Sequence, residues 1–310
     1  LSNWPVRLHK SDEGEAIMDI IPSGQTLGAR IENIDLADTL SDGALRTVLR
    51  ALGQYGVLCF PNQTFQTPAF RAFASRFGDL EVNVANLYFE PGFPDVMILS
   101  NQIGADGKPL GLNDAGQGWH TDMSYSKDIA LANVLHAQAV PMRNGKSVGE
   151  TQFRNMHAAY EELPDELKHK LEGRTATHDF EKFWEVMRLR PGSRRNKLTE
   201  EQKRKKPPVS QPLVRIHPLT GREVLYANPG YTMWIDGMDR DESDTIVEYL
   251  FRHQERAEFL YAHHWTVGDV LMWDNIGTVH NAIADYMPNE PRYMRRAQVM
   301  ATLDYSALVA

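Results

Sequence analysis

The stretch GWHTDMSY, residues 118–125, sets an imidazole and a carboxylate two residues apart. Its period-2 alternation predicts a strand. One face would carry His120, Asp122 and Ser124, the other Trp119, Thr121, Met123 and Tyr125. The second set reads as packing. A His-x-Asp pair standing alone is more often a structural hydrogen-bonded pair than a site. Joined by a second His from another element, it becomes a 2-His-1-carboxylate facial triad, which leaves positions on a metal open.

The chain holds eleven His. His9, His157, His169 and His253 lie in polar or helical contexts and read as surface. His263 and His264 are adjacent and face opposite ways. His178 and His217 lie beside turns. His280 follows the apolar VLMWDN across a turn at Gly277, so a hairpin would carry it back along the core. In RYMRRAQVMA, alternation puts Arg292, Met294, Arg296, Gln298 and Met300 on one face and turns Arg295 away. Two Arg on a face of Met and Gln are costly unless they meet anions; otherwise the face points to solvent. At roughly 3.3 Å per residue they stand about 13 Å apart, spacing for two carboxylates in a row. The Arg fork suits that task.

The elements that must position these groups are helical early and strand-rich late. Residues 41–56 predict a helix with Leu45, Val48, Leu49 and Leu52 on one face, and VLCF a buried strand. Residues 67–78 predict a second helix burying Phe70, Phe73, Ala74 and Phe77. Residues 82–118 form a loop-rich approach apart from VMIL at 96–99. A strand near 131–140 precedes a helical stretch ending at Gly173, a hairpin at LTGRE and a helix over 241–254. Residues 188–206 hold nine Lys or Arg against two Glu, a solvated insertion or a lid over about 181–212. With no βαβ alternation, the pattern suggests an antiparallel barrel or sandwich carrying helices outside.

The chain has 310 residues, is 42% hydrophobic and has a formal net charge of -8. This acidic balance argues against nucleic acid as a partner. No apolar stretch approaches the roughly 20 residues that span a bilayer, so no membrane is expected. The lone Cys59 reads as core. A cytoplasmic setting is expected; the missing initiator Met suggests a trimmed start, and a homo-oligomer is compatible with all of this.

WHTDMSY, VGET (148–151), VRIHPLTGREVLYAN (214–228) and GDVLMWDNIGTVHNAIADY (268–286) together resemble the taurine dioxygenase family of Fe(II)- and 2-oxoglutarate-dependent enzymes, which includes phenoxyacetate dioxygenases. The likeness runs from GARIENIDL (28–36) to RRAQVMATLDY (295–305). It implies a mainly β fold with flanking helices, a double-stranded β-helix or jelly roll, as one catalytic domain over 1–310. It implies iron on His120, Asp122 and His280, with Thr151 and Arg292 holding the far carboxylate of 2-oxoglutarate and Arg296 meeting the substrate anion. The implied reaction consumes O2 and 2-oxoglutarate, releases succinate and CO2, and oxidises a small anionic organic molecule. The intact carboxylate of Asp122 favours hydroxylation.

The family's taurine-binding His, Tyr and Asn fall at Asn83, Asn86 and Gly116, all changed, which disfavours taurine. Tyr231 matches a pocket aromatic, and Trp234 nearby could stack on the substrate or pack in the core. Loss of Arg296 is expected to weaken substrate binding and spare iron. A non-redox metal hydrolase on the same barrel is opposed by the paired Arg and VGET. An inactive 2-oxoglutarate sensor is opposed by the intact triad.

Overall fold

The structure, a computed structural model, describes residues 18–82, 88–190, 193 and 195–309. Asn83 and Asn86 lie outside the described residues. Two sheets face each other. The larger has eight strands in the order Asp19–Pro22, Ala29–Glu32, Val57–Phe60, Val270–Asp274, Ala130–Ala139, Tyr293–Met300, Phe93–Ser100, Phe89–Glu90. All its pairings are antiparallel except that of Ala29–Glu32 with Val57–Phe60. The smaller sheet runs Leu260–His263, Thr151–Asn155, Thr278–Ala282, all antiparallel. This is a jelly roll with helices on its outer faces.

The fully apolar strands follow from burial on both sides. In Val270–Asp274, Val270 and Met272 pack with Leu49, Leu52 and Phe70 of the early helices. Leu271 and Trp273 turn the other way, onto Phe153 of the small sheet and Met294. Val57–Phe60 divides likewise, Leu58 and Phe60 toward the helices and Val57 and Cys59 inward. The helices themselves, Asp42–Tyr55 and Thr67–Ser75, bury the expected Leu and Phe faces. Ser41 caps the first through its hydroxyl, and Gly56 closes it at φ 68, where an L-residue would be strained.

The predicted stretch up to Gly173 is two helices, Met156–Glu161 and Asp165–Leu171. Pro164, lacking an N–H, separates them. His157 and His253 are buried rather than on the surface. Each sits on the inner face of an amphipathic helix, and each ring finds a backbone carbonyl, that of Glu223 and of Ala159. The basic segment is not uniformly solvated. It forms the helices Phe180–Arg188 and Glu200–Lys205, then ends in the strand Val209–Pro212, which pairs with Thr175–His178.

Thr175–His178 also pairs with Thr232–Ile235, completing a separate three-stranded sheet in which His178 is fully buried, with Thr232 Oγ1 3.2 Å from Nε2. Burial, aided by Lys182 and Arg215, pulls its pKa down to about 3. In the unfolded chain it protonates near pH ~6.5. Between these values the unfolded state binds more protons, so stability falls as pH drops below about 6.5. The imidazole alone should remove about 2 kcal/mol between pH 7 and pH 5. Urea titrations at the two pH values should show a smaller difference for His178→Gln by about that amount; an unchanged difference refutes the assignment.

Candidate active site

His280 lies in Thr278–Ala282, opposite Phe153. Its other edge receives the His120 segment, and the two histidines exchange backbone hydrogen bonds of 3.1 and 2.9 Å. Beyond this single bridge the expected strand does not form. Residues 122–125 are turn, with Met123 at φ 58. The Asn275 side chain takes the place of a ladder partner: Oδ1 accepts from the Asp122 N–H at 3.2 Å, and Nδ2 donates to the Asp122 carbonyl at 2.8 Å. The two-face reading fails with it. Ser124 is buried against Asn228 rather than facing the site.

The turn nonetheless brings His120, Asp122 and His280 together. Their ligand-capable atoms lie within 4.8 Å of one another, and the imidazole centroids are 4.2 Å apart. Asp122 Oδ1 is 3.5 Å from His120 Nε2, and Oδ2 is 3.6 Å from His280 Nε2. His120 Nδ1 donates to the Gly118 carbonyl at 2.7 Å, which fixes the ring and turns Nε2 toward the carboxylate. Burial, followed by the neighbouring His120, depresses the pKa of His280 well below its ordinary value. Burial would raise Asp122, but Arg296 and His120 outweigh it and hold the carboxyl below the usual range. Two imidazoles and one carboxylate are a donor set for a divalent cation. Gly230 permits the crowding: a Cβ there would stand 2.7 Å from His120 Cβ.

Among the described residues two other buried groups bring three potential ligands together, Cys59–His263–Asp269 and His157–His217–Asp274. In each, a His–Asp hydrogen bond of 3.2 or 3.0 Å closes the group on itself.

On Tyr293–Met300, Met294, Arg296 and Gln298 point inward, and Arg295 points away, bound to Glu90 at 2.8 Å. Arg296 donates from Nη2 to Asp122 Oδ2 at 2.7 Å, and from Nε and Nη2 to Asn133 Oδ1 at 3.1 and 2.9 Å. It is therefore tied to the carboxylate of Asp122, a contact that argues against the expectation that its loss spares iron. Arg296→Ala should weaken Fe(II) binding about 10- to 100-fold, the range for groups that orient a metal ligand. Metal titration monitored by 2-oxoglutarate-dependent absorption checks this; an unchanged affinity would mean that Asp122 needs no partner.

Arg292 precedes the strand and is 6% exposed. Its guanidinium lies 5.8 Å from the Tyr286 ring, and Nε has no partner among the described residues. Burial lowers its pKa, and Tyr286 opposes this. A buried cation with an unused N–H calls for an anion. Tyr286 in turn packs on Gly149, where a Cβ would lie 2.9 Å from the ring. Two residues on, buried Thr151 accepts from Trp265 Nε1 at 3.0 Å, leaving its own O–H to donate.

An aromatic wall covers the triad. Phe183, from the basic segment, stands 4.9 Å from the His120 ring, and Tyr231 stands 6.2 Å from it. Tyr231 is 3% exposed and contacts both Phe183 and Tyr125, at 5.1 and 4.6 Å. Trp234 instead packs under Arg240 at 4.9 Å. Asn275, Trp265, Tyr286 and Phe183 escaped the sequence reading. WDN and HHWTVGD were quotable signals for the first two; nothing in FEKFWE announces a ring against His120.

Residues 19–298 match the taurine catabolism dioxygenase TauD, TfdA family. The chain belongs to this family. Its reaction class is therefore that of an Fe(II)-, 2-oxoglutarate- and O2-dependent dioxygenase. Alpha-ketoglutarate-dependent 2,4-dichlorophenoxyacetate dioxygenase of Cupriavidus pinatubonensis is 32% identical over 90% of this chain and 96% of that protein. Pentalenolactone F synthase of Streptomyces avermitilis is 31% identical, covering 90% and 93%. Among solved structures, AAD-2 in complex with Mn(II) and N-oxalylglycine superposes with a TM-score of 0.75 at 29% identity, covering 92% of this chain and 98% of that one.

Proposed function

We propose that this family member hydroxylates a small organic acid, with Fe(II) on His120, Asp122 and His280, and 2-oxoglutarate held by Arg292 and Thr151. The observation that carries the reading is the convergence of two imidazoles and one carboxylate, held below its usual range, at a single buried point. The residues fit these groups: Arg292 Nε is buried without a partner among the described residues, and Thr151 has a hydroxyl proton to give. Iron bound there with 2-oxoglutarate supplies oxidative decarboxylation of 2-oxoglutarate to succinate and CO2, coupled to oxygen insertion into a substrate C–H bond.

The chain's own residues bind, orient and exclude water. The Gly118 carbonyl fixes the tautomer of His120. Arg296 and Asn275 hold Asp122 from its carboxylate and its backbone. Arg292 and Thr151 receive the far carboxylate, and Trp265 sets the direction of the Thr151 hydroxyl. Phe183, Tyr231 and Tyr125 wall off the triad, and Phe183 gives the segment of about 181–212 the role of a lid. Residues 1–310 act as one catalytic domain. Relatives named for 2,4-dichlorophenoxyacetate and (S)-phenoxypropionate support an acidic substrate. No described helix is long and apolar enough to cross a membrane.

The experiment is succinate formation by the purified protein with Fe(II), 2-oxoglutarate and a panel of organic acids, taurine included. Iron-dependent succinate coupled to a hydroxylated acid is expected, with taurine a poor substrate because Asn83 and Asn86 replace its contacts. Exclusive turnover of neutral substrates would refute the acid reading. Metal-dependent hydrolysis without succinate would favour the hydrolase.

A further inference from the structure

Arg296, the cation nearest the triad, already has its anion in Asp122. What lies on its other side is an acid. Glu81, Pro94, Asp95, Met97, Arg296 and Gln298 line a small cavity of about 10 Å³. Asp95 is committed to Arg71, with carboxylate contacts of 3.0 and 2.7 Å. Glu81 is not committed: its half-buried carboxyl makes no hydrogen bond or ion pair among the described residues. Nor is it a loose surface group. Its N–H donates to the Gln298 carbonyl at 2.9 Å, and Leu80 bridges to Val299, so the backbone is tied to the strand that carries Arg296.

The charges acting on Glu81 are Arg296, Lys206 and Asp122. Lys206 comes from the end of the basic segment. Its ammonium lies 5.0 Å from the Tyr125 ring and 5.9 Å from that of Phe180. It, too, has no carboxylate partner among the described residues. An unpaired base thus stands over the aromatic wall, and an unpaired acid borders, beside Arg296, a space that fits one water-sized group. An ammonium group is of that size. A purely acidic substrate would bring a like charge toward Glu81 and leave that carboxylate without a donor, which is costly in a partly desolvated site. A molecule with both charges satisfies both.

Resting on the dioxygenase reading above, we propose that the substrate is a zwitterion, an amino acid or close analogue, whose ammonium seats against Glu81 while its acid group turns toward Lys206 and the free edge of Arg296. Glu81 is then a specificity-determining residue that reads the amine.

The test uses matched pairs: the common α-, β- and ω-amino acids and, for each, the carboxylic acid of the same carbon skeleton lacking the amine. Binding to the anaerobic Fe(II)–2-oxoglutarate enzyme is read by calorimetry, and turnover by succinate release. Wild type should favour the amino member of at least one pair by tenfold or more. Glu81→Gln, isosteric and uncharged, should cut that ratio at least tenfold, and Glu81→Asp should restore part of it. Melting temperatures confirm that the variants fold. Equal or better use of the des-amino acids overturns the proposal, as does binding of no member of any pair. An equal loss for both members in Glu81→Gln also overturns it and assigns Glu81 to anchoring Lys206, in which case Lys206→Met has the same effect. If iron-dependent succinate is absent from wild type with every acid, the dioxygenase reading itself fails, a different result.

Discussion

His280→Ala should abolish the visible absorption that Fe(II) and 2-oxoglutarate generate together in the anaerobic enzyme, and leave turnover below about 1% of wild type. The size follows from position. Loss of a group that merely orients a ligand costs about 10- to 100-fold, and loss of a ligand costs more. His280 is 4% exposed, among Phe153 and Trp273 at ring distances of 6.3 and 5.0 Å, so no neighbouring side chain stands ready to replace it. Its pairing with His120 is through the backbone and survives the substitution, so the fold should persist. Far-ultraviolet circular dichroism separates loss of metal from loss of structure. A retained absorption band in folded His280→Ala would remove this residue from the metal site.

Arg292→Ala should lower 2-oxoglutarate affinity at least tenfold, because truncating one member of a buried charge pair typically costs about 3–5 kcal/mol. The structure adds an opposite expectation for the protein without cosubstrate. There Arg292 is a buried cation whose Nε has no partner among the described residues, so removing it relieves a desolvation cost. Arg292→Met should therefore melt no lower than wild type without 2-oxoglutarate, while losing the stabilisation that 2-oxoglutarate gives wild type. Arg295→Ala is the control, since Arg295 faces Glu90 on the opposite side of the strand. Equal affinity loss in Arg295→Ala would overturn the face assignment. A large drop in the melting temperature of Arg292→Met alone would make Arg292 a structural residue.

What the sequence by itself determined is the set of groups and the strands that obey period 2. VLMWD and VLCF are apolar throughout because both of their faces are covered, and RYMRRAQVM alternates because Arg295 and Arg296 serve opposite sides of one sheet. These are local properties of a pleated chain. The clustering of His120, Asp122 and His280 was legible for a weaker reason. The spacing of His120 and Asp122 suggested a strand, yet the carboxylate reaches the site through a turn braced by Asn275, from 153 residues further along the chain. A His-x-Asp pair can share a direction through either conformation, and only a long-range amide decides which. The same holds for partners without local pattern. Arg296 engages Asp122 across 174 residues, and Trp265 directs Thr151 across 114. His157 and His253 looked like surface because helical context alone does not say which face is covered. The wall over the triad depends on where the basic segment folds back, and that is set by the pairing of Val209–Pro212 with Thr175–His178 rather than by the charges that dominate its sequence. Composition left this segment as a solvated insertion or a lid; tertiary structure placed Phe183 against the His120 ring, because a ring gains more from covering the site than from facing water.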